Sequence, residues 1–352
     1  MSLPPIEIPL GAMRFNSDSQ KLEYWMGSAW MQIQTFSPNI AESGDTGAGV
    51  RAIVGGGAGS SGLPDEVQFF NMASNGDAAD YGDLPQRQYL TVGTSSRTRG
   101  VFMGGYTNSP SSTYINSIQS VEIAQLGYTS DFGDLTQVAG YTGAIGNQTR
   151  AIRVGGTGPS NPGTNTMDYV TIAVKSDAVD YGDLSGSCTN SNNVNSPTRG
   201  IIQTNESGTP NRVQFTTIPT TGNAETFGEL QKLRGDGSGM SNAVRGIFCG
   251  GYVSPGLVTF MEFVTISTTG NGSTFGDMSS VVFREGGHAS PVRGVISGGM
   301  GPSPYPQLTT LQSLNFATQG NTSEFGDLSK ARYDAARYQT VMEVSDNGNI
   351  KS

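Results

Sequence analysis

A chain of 352 residues with 50 glycines, a net charge of −9 and only 14% charged residues departs from the average soluble domain, in which about a quarter of residues carry charge. The acidic balance argues against tracking of nucleic-acid phosphates, so no nucleic-acid partner is expected. One histidine and two cysteines, Cys188 and Cys249, exclude a disulfide framework and a transition-metal site built from histidine and cysteine ligands.

The N-terminal stretch MSLPPIEIPLGAMRF has neither a basic n-region nor an apolar h-region, so no secretory signal is expected and synthesis in a cytoplasm is. No apolar run reaches the ~18 residues of a membrane-spanning helix, and no membrane insertion is expected. Residues 11–33, GAMRFNSDSQKLEYWMGSAWMQI, read as two or three short strands joined by the turns SDSQ and GS. Both tryptophans, Trp25 and Trp30, fall here. A unit this small does not bury two tryptophans alone. It packs on the rest of the chain, on copies of itself or on another protein, which makes Trp25 and Trp30 the candidate attachment residues.

From residue 50 the chain repeats. VRAIVGGG (50–57), TRGVFMGG (98–105), TRAIRVGG (149–156), TRGIIQTN (198–205), VRGIFCGG (244–251) and VRGVISGG (292–299) carry Arg51, Arg99, Arg150, Arg199, Arg245 and Arg293 at spacings of 48, 51, 49, 46 and 48. A second marker follows each arginine by 28 to 33 residues: YGDL at 81–84 and 181–184, FGDL at 132–135 and 325–328, FGEL at 227–230 and FGDM at 275–278. Between the markers lies a strand of alternating β-branched and aromatic residues, such as EVQFFNM (66–72) or MEFVTIS (261–267), and then a turn such as TTGNA (220–224) whose residues tolerate positive φ. Three or four short strands in about 48 residues fit the period of a propeller blade.

The aromatic of the second marker is expected to be a buried wedge between blades, and its glycine to allow a tight backbone. Asp83, Asp134, Asp183, Glu229, Asp277 and Asp327 number the same as the repeat arginines. This suggests six structural pairs, with turn amides as the other available donors. A catalytic acid does not come in six equivalent copies. After the last marker, QTVMEV (339–344) is positioned to complete the first blade and hide the sheet edges.

Little points to catalysis. His288 in FREGGHASPVRG is alone, and no nucleophile is oriented by it. Cys249 in GIFCGG reads as a small buried hydrophobe, and Cys188 in SGSCTNSNN as a loop residue with access to solvent. DAADYGD (77–83) and SDAVDYGD (176–183) offer Asp77, Asp80, Asp83, Asp177, Asp180 and Asp183, oxygen ligands of the kind Ca²⁺ takes, but the other repeats lack the first two acids. No cofactor is otherwise implied. No carboxylate pair stands apart from the repeat to suggest glycoside hydrolysis. The variable loops after the GG strands carry Tyr106, Tyr114, Tyr252 and Tyr305. These rings suit stacking on sugars, and they read equally as ordinary turn residues. The fourth repeat departs most, with QTN in place of GG.

The layout resembles kelch-type β-propellers, in which an apolar strand ends in Gly-Gly and an aromatic marker follows. The resemblance covers about 50–330. The copper oxidases that share that fold need histidine ligands absent here. Units of the form TRGVFMGGY…VEIA…DFGDL look like the degenerate kelch-like repeats of phage tail and fibre proteins. Residues 11–33 are similar to a short β module of such proteins through Gly11, Arg14, Asn16, Asp18, Lys21, Glu23, Trp25, Gly27 and Trp30, with Met26 where an acid is usual. The resemblance implies an all-β chain, a six-bladed kelch-like β-propeller (41–345) with an N-terminal β appendage (1–40) and a short tail (346–352). It further implies a non-enzymatic virion protein of tail, fibre or baseplate, self-associating and bound to other virion proteins. A host surface glycan is an alternative ligand, and glycan cleavage a more distant alternative.

Overall fold

In the computed structural model the described residues are 8–16, 21–32 and 51–335, less 60–61, 109–110, 124, 128, 161, 205–210 and 233. All regular elements among them are strands, paired antiparallel in sheets of two to four. The chain divides into a smaller unit, Met1–Thr46 with Ser345–Ser352, and a larger one, Gly47–Val344.

The smaller unit holds Met13–Asn16, Lys21–Trp25 and Trp30–Gln32. Register sets its two faces, because side chains alternate along a strand. Met13 opposes Tyr24, which opposes Met31; Arg14 opposes Glu23, and Trp25 opposes Trp30.

Six sheets make up most of the larger unit. The first has Arg51–Gly55, Glu66–Asn71 and Ala79–Asp83. The second has Val92–Ser95, Arg99–Thr107, Thr113–Glu122 and Ser130–Asp134. The third has Gly143–Gly146, Arg150–Val154, Thr164–Thr171 and Val179–Cys188. The fourth has Asn192–Asn195, Arg199–Gln203, Arg212–Thr217 and Glu225–Glu229. The fifth has Ser238–Ser241, Arg245–Cys249, Phe260–Thr265 and Ser273–Asp277. The sixth has Gly286–Ala289, Arg293–Ser297, Thr310–Asn315 and Ser323–Asp327. The strand expected to complete the first sheet, within 339–344, lies outside the described residues.

Each sheet packs on the next. Every one of six apolar clusters draws on two consecutive sheets, and one joins the sixth to the first through Val295, Leu311, Phe325 and Leu328 against Ala52, Val54, Phe70 and Met72. The repeat aromatic sits in each cluster: Tyr81, Phe132, Tyr181, Phe227, Phe275 and Phe325 are all buried. Where it is tyrosine, the hydroxyl crosses the boundary. Tyr81 donates to the Glu122 carbonyl at 2.6 Å and Tyr181 to that of Thr217 at 2.7 Å. Burial holds both phenols above their ordinary pKa. The glycine that follows has no room for a side chain. A Cβ on Gly133 would lie 2.3 Å from the Ser176 carbonyl oxygen, and one on Gly82 would lie 2.1 Å from that of Gly127.

A buried polar clamp crosses the same boundaries. In each sheet the residue that pairs with the position just before the marker aromatic is Gln68, Gln119, Asp168, Gln214, Glu262 or Gln312, each fully or nearly fully buried. In five of the six boundaries its oxygen accepts the amide that follows the preceding sheet's marker. Ser329 donates to Gln68 at 2.9 Å, Thr136 to Asp168 at 3.1 Å, Ser185 to Gln214 at 3.0 Å, Gln231 to Glu262 at 2.7 Å and Ser279 to Gln312 at 3.1 Å. At the boundary between the first and second sheets the residue is Pro85, which has no N–H.

Candidate binding face and interaction residues

Six residues, five of which lead into the short first strands of the second to sixth sheets, share one conformation. Leu90, Tyr141, Asn190, Asp236, Arg284 and Asp334 have φ between 49° and 59°, a left-handed region that non-glycine residues enter at a cost of about 1 kcal/mol. Their main chains are joined across repeats. Leu90 N–H donates to Asp334 O at 3.1 Å, Asp334 to Arg284 at 3.1 Å, Arg284 to Asp236 at 2.7 Å, and Asn190 to Tyr141 at 2.9 Å. Arg284 lies between two carboxylates, 3.7 Å from Asp236 and 3.4 Å from Asp334, the latter fully buried.

At five of the six left-handed positions the preceding residue pairs with the segment that follows the GG strand, Tyr333 doing so with Ala58. Tyr89 and Tyr106 exchange two main-chain bonds, at 3.0 and 2.8 Å, and Gly140–Thr157, Gly235–Tyr252 and Phe283–Met300 repeat the pairing. The loops are thereby tied to the left-handed residues. The GG pair permits the approach: Gly104 has φ 60°, and a Cβ there would meet the Ala139 carbonyl oxygen at 2.5 Å.

The four loop tyrosines separate into two situations. Tyr106 lies edge-on to Tyr114 at 5.0 Å and to Tyr89 at 5.5 Å. Tyr89 is absent from the sequence expectation, because nothing in PQRQYL distinguishes it from an ordinary connection. Burial holds its phenol above the ordinary value, helped by Tyr141, Tyr106, Asp334 and Tyr333 nearby. Tyr305 leans on Phe283 at 5.8 Å and is 56% exposed, while Tyr252, on a two-residue ribbon, is 47% exposed. These two do not join the Tyr89–Tyr106–Tyr114 stack.

The six repeat arginines do not pair with the six marker acids. Each arginine reaches a main-chain carbonyl of the following sheet: Arg51 to Ile123 (3.1 Å), Arg99 to Ile172 (2.9 Å), Arg150 to Ile218 (2.9 Å), Arg199 to Ile266 (3.0 Å), Arg245 to Phe316 (2.7 Å) and Arg293 to Met72 (3.3 Å). Arg51, Arg150, Arg199 and Arg245 also lie over Phe69, Tyr169, Phe215 and Phe263 at 4.4 to 5.0 Å. In the second sheet Ser120 replaces that ring, and Arg99 pairs with Glu122 at 2.7 Å. The acids Asp83, Asp134, Asp183, Glu229, Asp277 and Asp327 are exposed. The amides of Asp134, Asp183, Glu229, Asp277 and Asp327 donate at 2.9 to 3.0 Å to the side chains of Asp177, Asn223, Asn271, Asn321 and Asp77, and the Asp277 and Asp327 carboxylates accept from the hydroxyls of Thr259 and Thr309 at 2.9 and 2.8 Å. Equal numbers of acids and arginines did not fix their geometry, because the shorter acid side chains leave the surface strand pointing outward.

Asp77 and Asp177, two of the six candidate calcium ligands, are thus engaged with neighbouring amides. Among the described residues no group of three or more His, Cys, Asp or Glu is arranged to hold an ion. His288 is fully buried on its strand, edge-on to Phe70 at 5.2 Å, with Nε2 2.9 Å from Ser297 Oγ. Burial pushes its pKa down to about 3, so the ring is neutral at pH 7. Cys249 is buried with its thiol pushed up by desolvation. Cys188 is also buried, contrary to the expected access to solvent: it ends the strand Val179–Cys188 and packs with Ile145, Ile152 and Val154. In the fourth repeat Gln203 stands where other repeats carry Met103, Val154, Cys249 and Ser297, and its side chain donates to Arg234 O at 3.1 Å and accepts from Asn192 at 3.0 Å.

In the smaller unit Trp25 and Trp30 are half-buried against each other, centroids 5.4 Å apart, with Arg14 4.2 Å above Trp30 and paired to Glu23 at 2.8 Å. Three exposed apolar side chains lie on the opposite face of the sheet: Met13 (61%), Phe15 (65%) and Met31 (46%). Sequence reasoning chose the tryptophans for their size, whereas alternation assigns outward exposure to their neighbours. No protein-family model matches the chain, and no curated protein sequence matches it.

Proposed function

We propose that the larger unit is a six-bladed, kelch-like β-propeller and that the chain is a non-enzymatic virion protein of phage tail, fibre or baseplate. In this reading the propeller is a rigid disc that binds other virion proteins, and the smaller unit attaches it or joins it to a second copy. The fold reading is supported by the packing of the sixth sheet on the first, with the same arginine-to-carbonyl bond found at the five other boundaries. The functional reading is carried by one contrast. The boundaries between sheets repeat nearly the same bonds six times, while chemical variety is concentrated in the loops tied to the left-handed residues. His288, Cys188 and Cys249, the residue types most used as bases and nucleophiles, are packed in the core.

A test is antibody labelling of intact particles from cells that express the chain. Label on tails, fibres or baseplates is expected. Chain found only in the soluble lysate, with unlabelled particles, would overturn the proposal. A second reading, capture of host surface glycan, is favoured by the exposure of Tyr252 and Tyr305. It predicts saturable binding of the labelled full chain to host cells that free sugar competes away.

A further inference from the structure

The one boundary without an amide clamp contains a cavity. Pro85 stands where Thr136, Ser185, Gln231, Ser279 and Ser329 present an N–H to the next sheet. Gln119 therefore receives no bond from it. Its amide nitrogen turns to Gln88 Oε1 at 3.0 Å, and its oxygen takes only a long bond from Thr129 at 3.4 Å. Between the connection Leu84–Arg87 and the second sheet lies a cavity of about 600 Å³, bordered by Asp65, Ser117, Gln119 and Asp131. That volume falls within the ~300–1,000 Å³ of small-molecule sites.

The lining defines what fits. Arg87 and Asp65 form an ion pair at 3.3 Å and cancel. Asp131 has Lys175 beside it, with Nζ donating to the Asp131 carbonyl at 2.7 Å and to Ser130 Oγ at 3.1 Å, so the lining is close to neutral and matches an uncharged ligand. With Asp65, Asp131 supplies oxygens that only accept, so the matching ligand donates through hydroxyls. The Ser117 hydroxyl is buried and unpartnered, a group that costs about 1–3 kcal/mol until it is satisfied. Leu84 and Pro85 supply an apolar wall for the C–H face of a ring.

We infer that the cleft between the first and second sheets, opened by Pro85, binds one uncharged pyranose unit through Asp131, Ser117 and Gln119. The inference deepens the glycan reading above and rests on it, and it assigns the sugar to this cleft rather than to the loop tyrosines.

The full chain is titrated with the methyl glycosides of glucose, galactose, mannose and N-acetylglucosamine, with saturation-transfer NMR as the readout. At least one is expected to bind saturably. Pro85→Ser restores the amide found at the other boundaries; it should weaken that binding at least tenfold without lowering the melting temperature. Asp131→Asn, on an exposed residue, should weaken it similarly and guards against misfolding of the first variant. Unchanged binding in both variants overturns the inference. If binding then disappears in Tyr106→Ala or Tyr252→Ala, the sugar belongs to the loop face and the glycan reading survives. If no glycoside binds, this cleft assignment is overturned, while host-cell binding by the full chain still decides the broader reading.

Discussion

Arg293 donates to the carbonyl of Met72, 221 residues earlier in the chain, at 3.3 Å, and Arg150 makes the corresponding bond to Ile218, 68 residues later, at 2.9 Å. If the two boundaries are equivalent, Arg293→Ala and Arg150→Ala should each cost about 2 kcal/mol, the loss of a charge-assisted hydrogen bond and of a ring contact. Urea unfolding of the two variants checks this. A cost at Arg150 with none at Arg293 would mean that the sixth and first sheets do not hold together in solution.

Arg153 and Asp168 are paired at 2.8 Å with neither side chain exposed. Removing one partner strands a buried charge, and Asp168→Asn is expected to cost about 3–5 kcal/mol. The fourth sheet fills the same two places with Ile202 and Gln214, both buried. The double variant Arg153→Ile, Asp168→Gln should therefore recover most of the loss. A double variant no more stable than the single one would show that the fourth sheet's solution is not transferable.

His288 makes stability depend on acid. Its pKa is pushed from 6.5 down to about 3 by burial, so unfolding takes up a proton over that interval. The contribution is complete above pH 6.5 and is lost as pH falls toward 3, by up to about 1.4 kcal/mol per pH unit. The unfolding midpoint of the wild type should fall more steeply between pH 6.5 and 4 than that of His288→Phe. Parallel curves for the two proteins would refute the assignment.

Gly133 and Gly235 should respond oppositely to a methyl group. A Cβ on Gly133 would sit 2.3 Å from a main-chain oxygen of the third sheet, whereas one on Gly235 meets nothing within 4 Å. Gly133→Ala is expected to cost more than about 3 kcal/mol or to prevent folding, and Gly235→Ala to change stability by less than about 0.5 kcal/mol. Thermal melts of the two variants suffice.

The repeat, its period and the burial of the marker aromatic were legible because apolar and aromatic residues recur at fixed spacing. The short strands were not. Val92–Ser95, Gly143–Gly146, Asn192–Asn195, Ser238–Ser241 and Gly286–Ala289 are buried at every position, so they lack the alternation that marks a half-exposed strand, and their glycine, serine and asparagine read as loop. The clamp residues Gln68, Asp168 and Glu262 stood in plain view within the middle-strand motifs, but only the register reveals that they face an amide of the previous sheet. Arginine partners could not be inferred from counting acids, since a carbonyl leaves no mark in sequence. Leu90, Tyr141 and Arg284 share no chemistry that announces a left-handed conformation.

That last property has a consequence for how such a chain changes over generations. The main-chain bonds that join Leu90, Asp334, Arg284 and Asp236 are independent of which side chains these positions bear, while the Arg284 guanidinium adds ties to the carboxylates of Asp236 and Asp334. Positions about fifty residues apart in the gene thereby share one frame, and three of them also share charges. A codon change at Arg284 leaves the frame in place but alters the electrostatic setting of its two acidic neighbours. Selection can retune such a surface stepwise, without passing through an unfolded intermediate sequence.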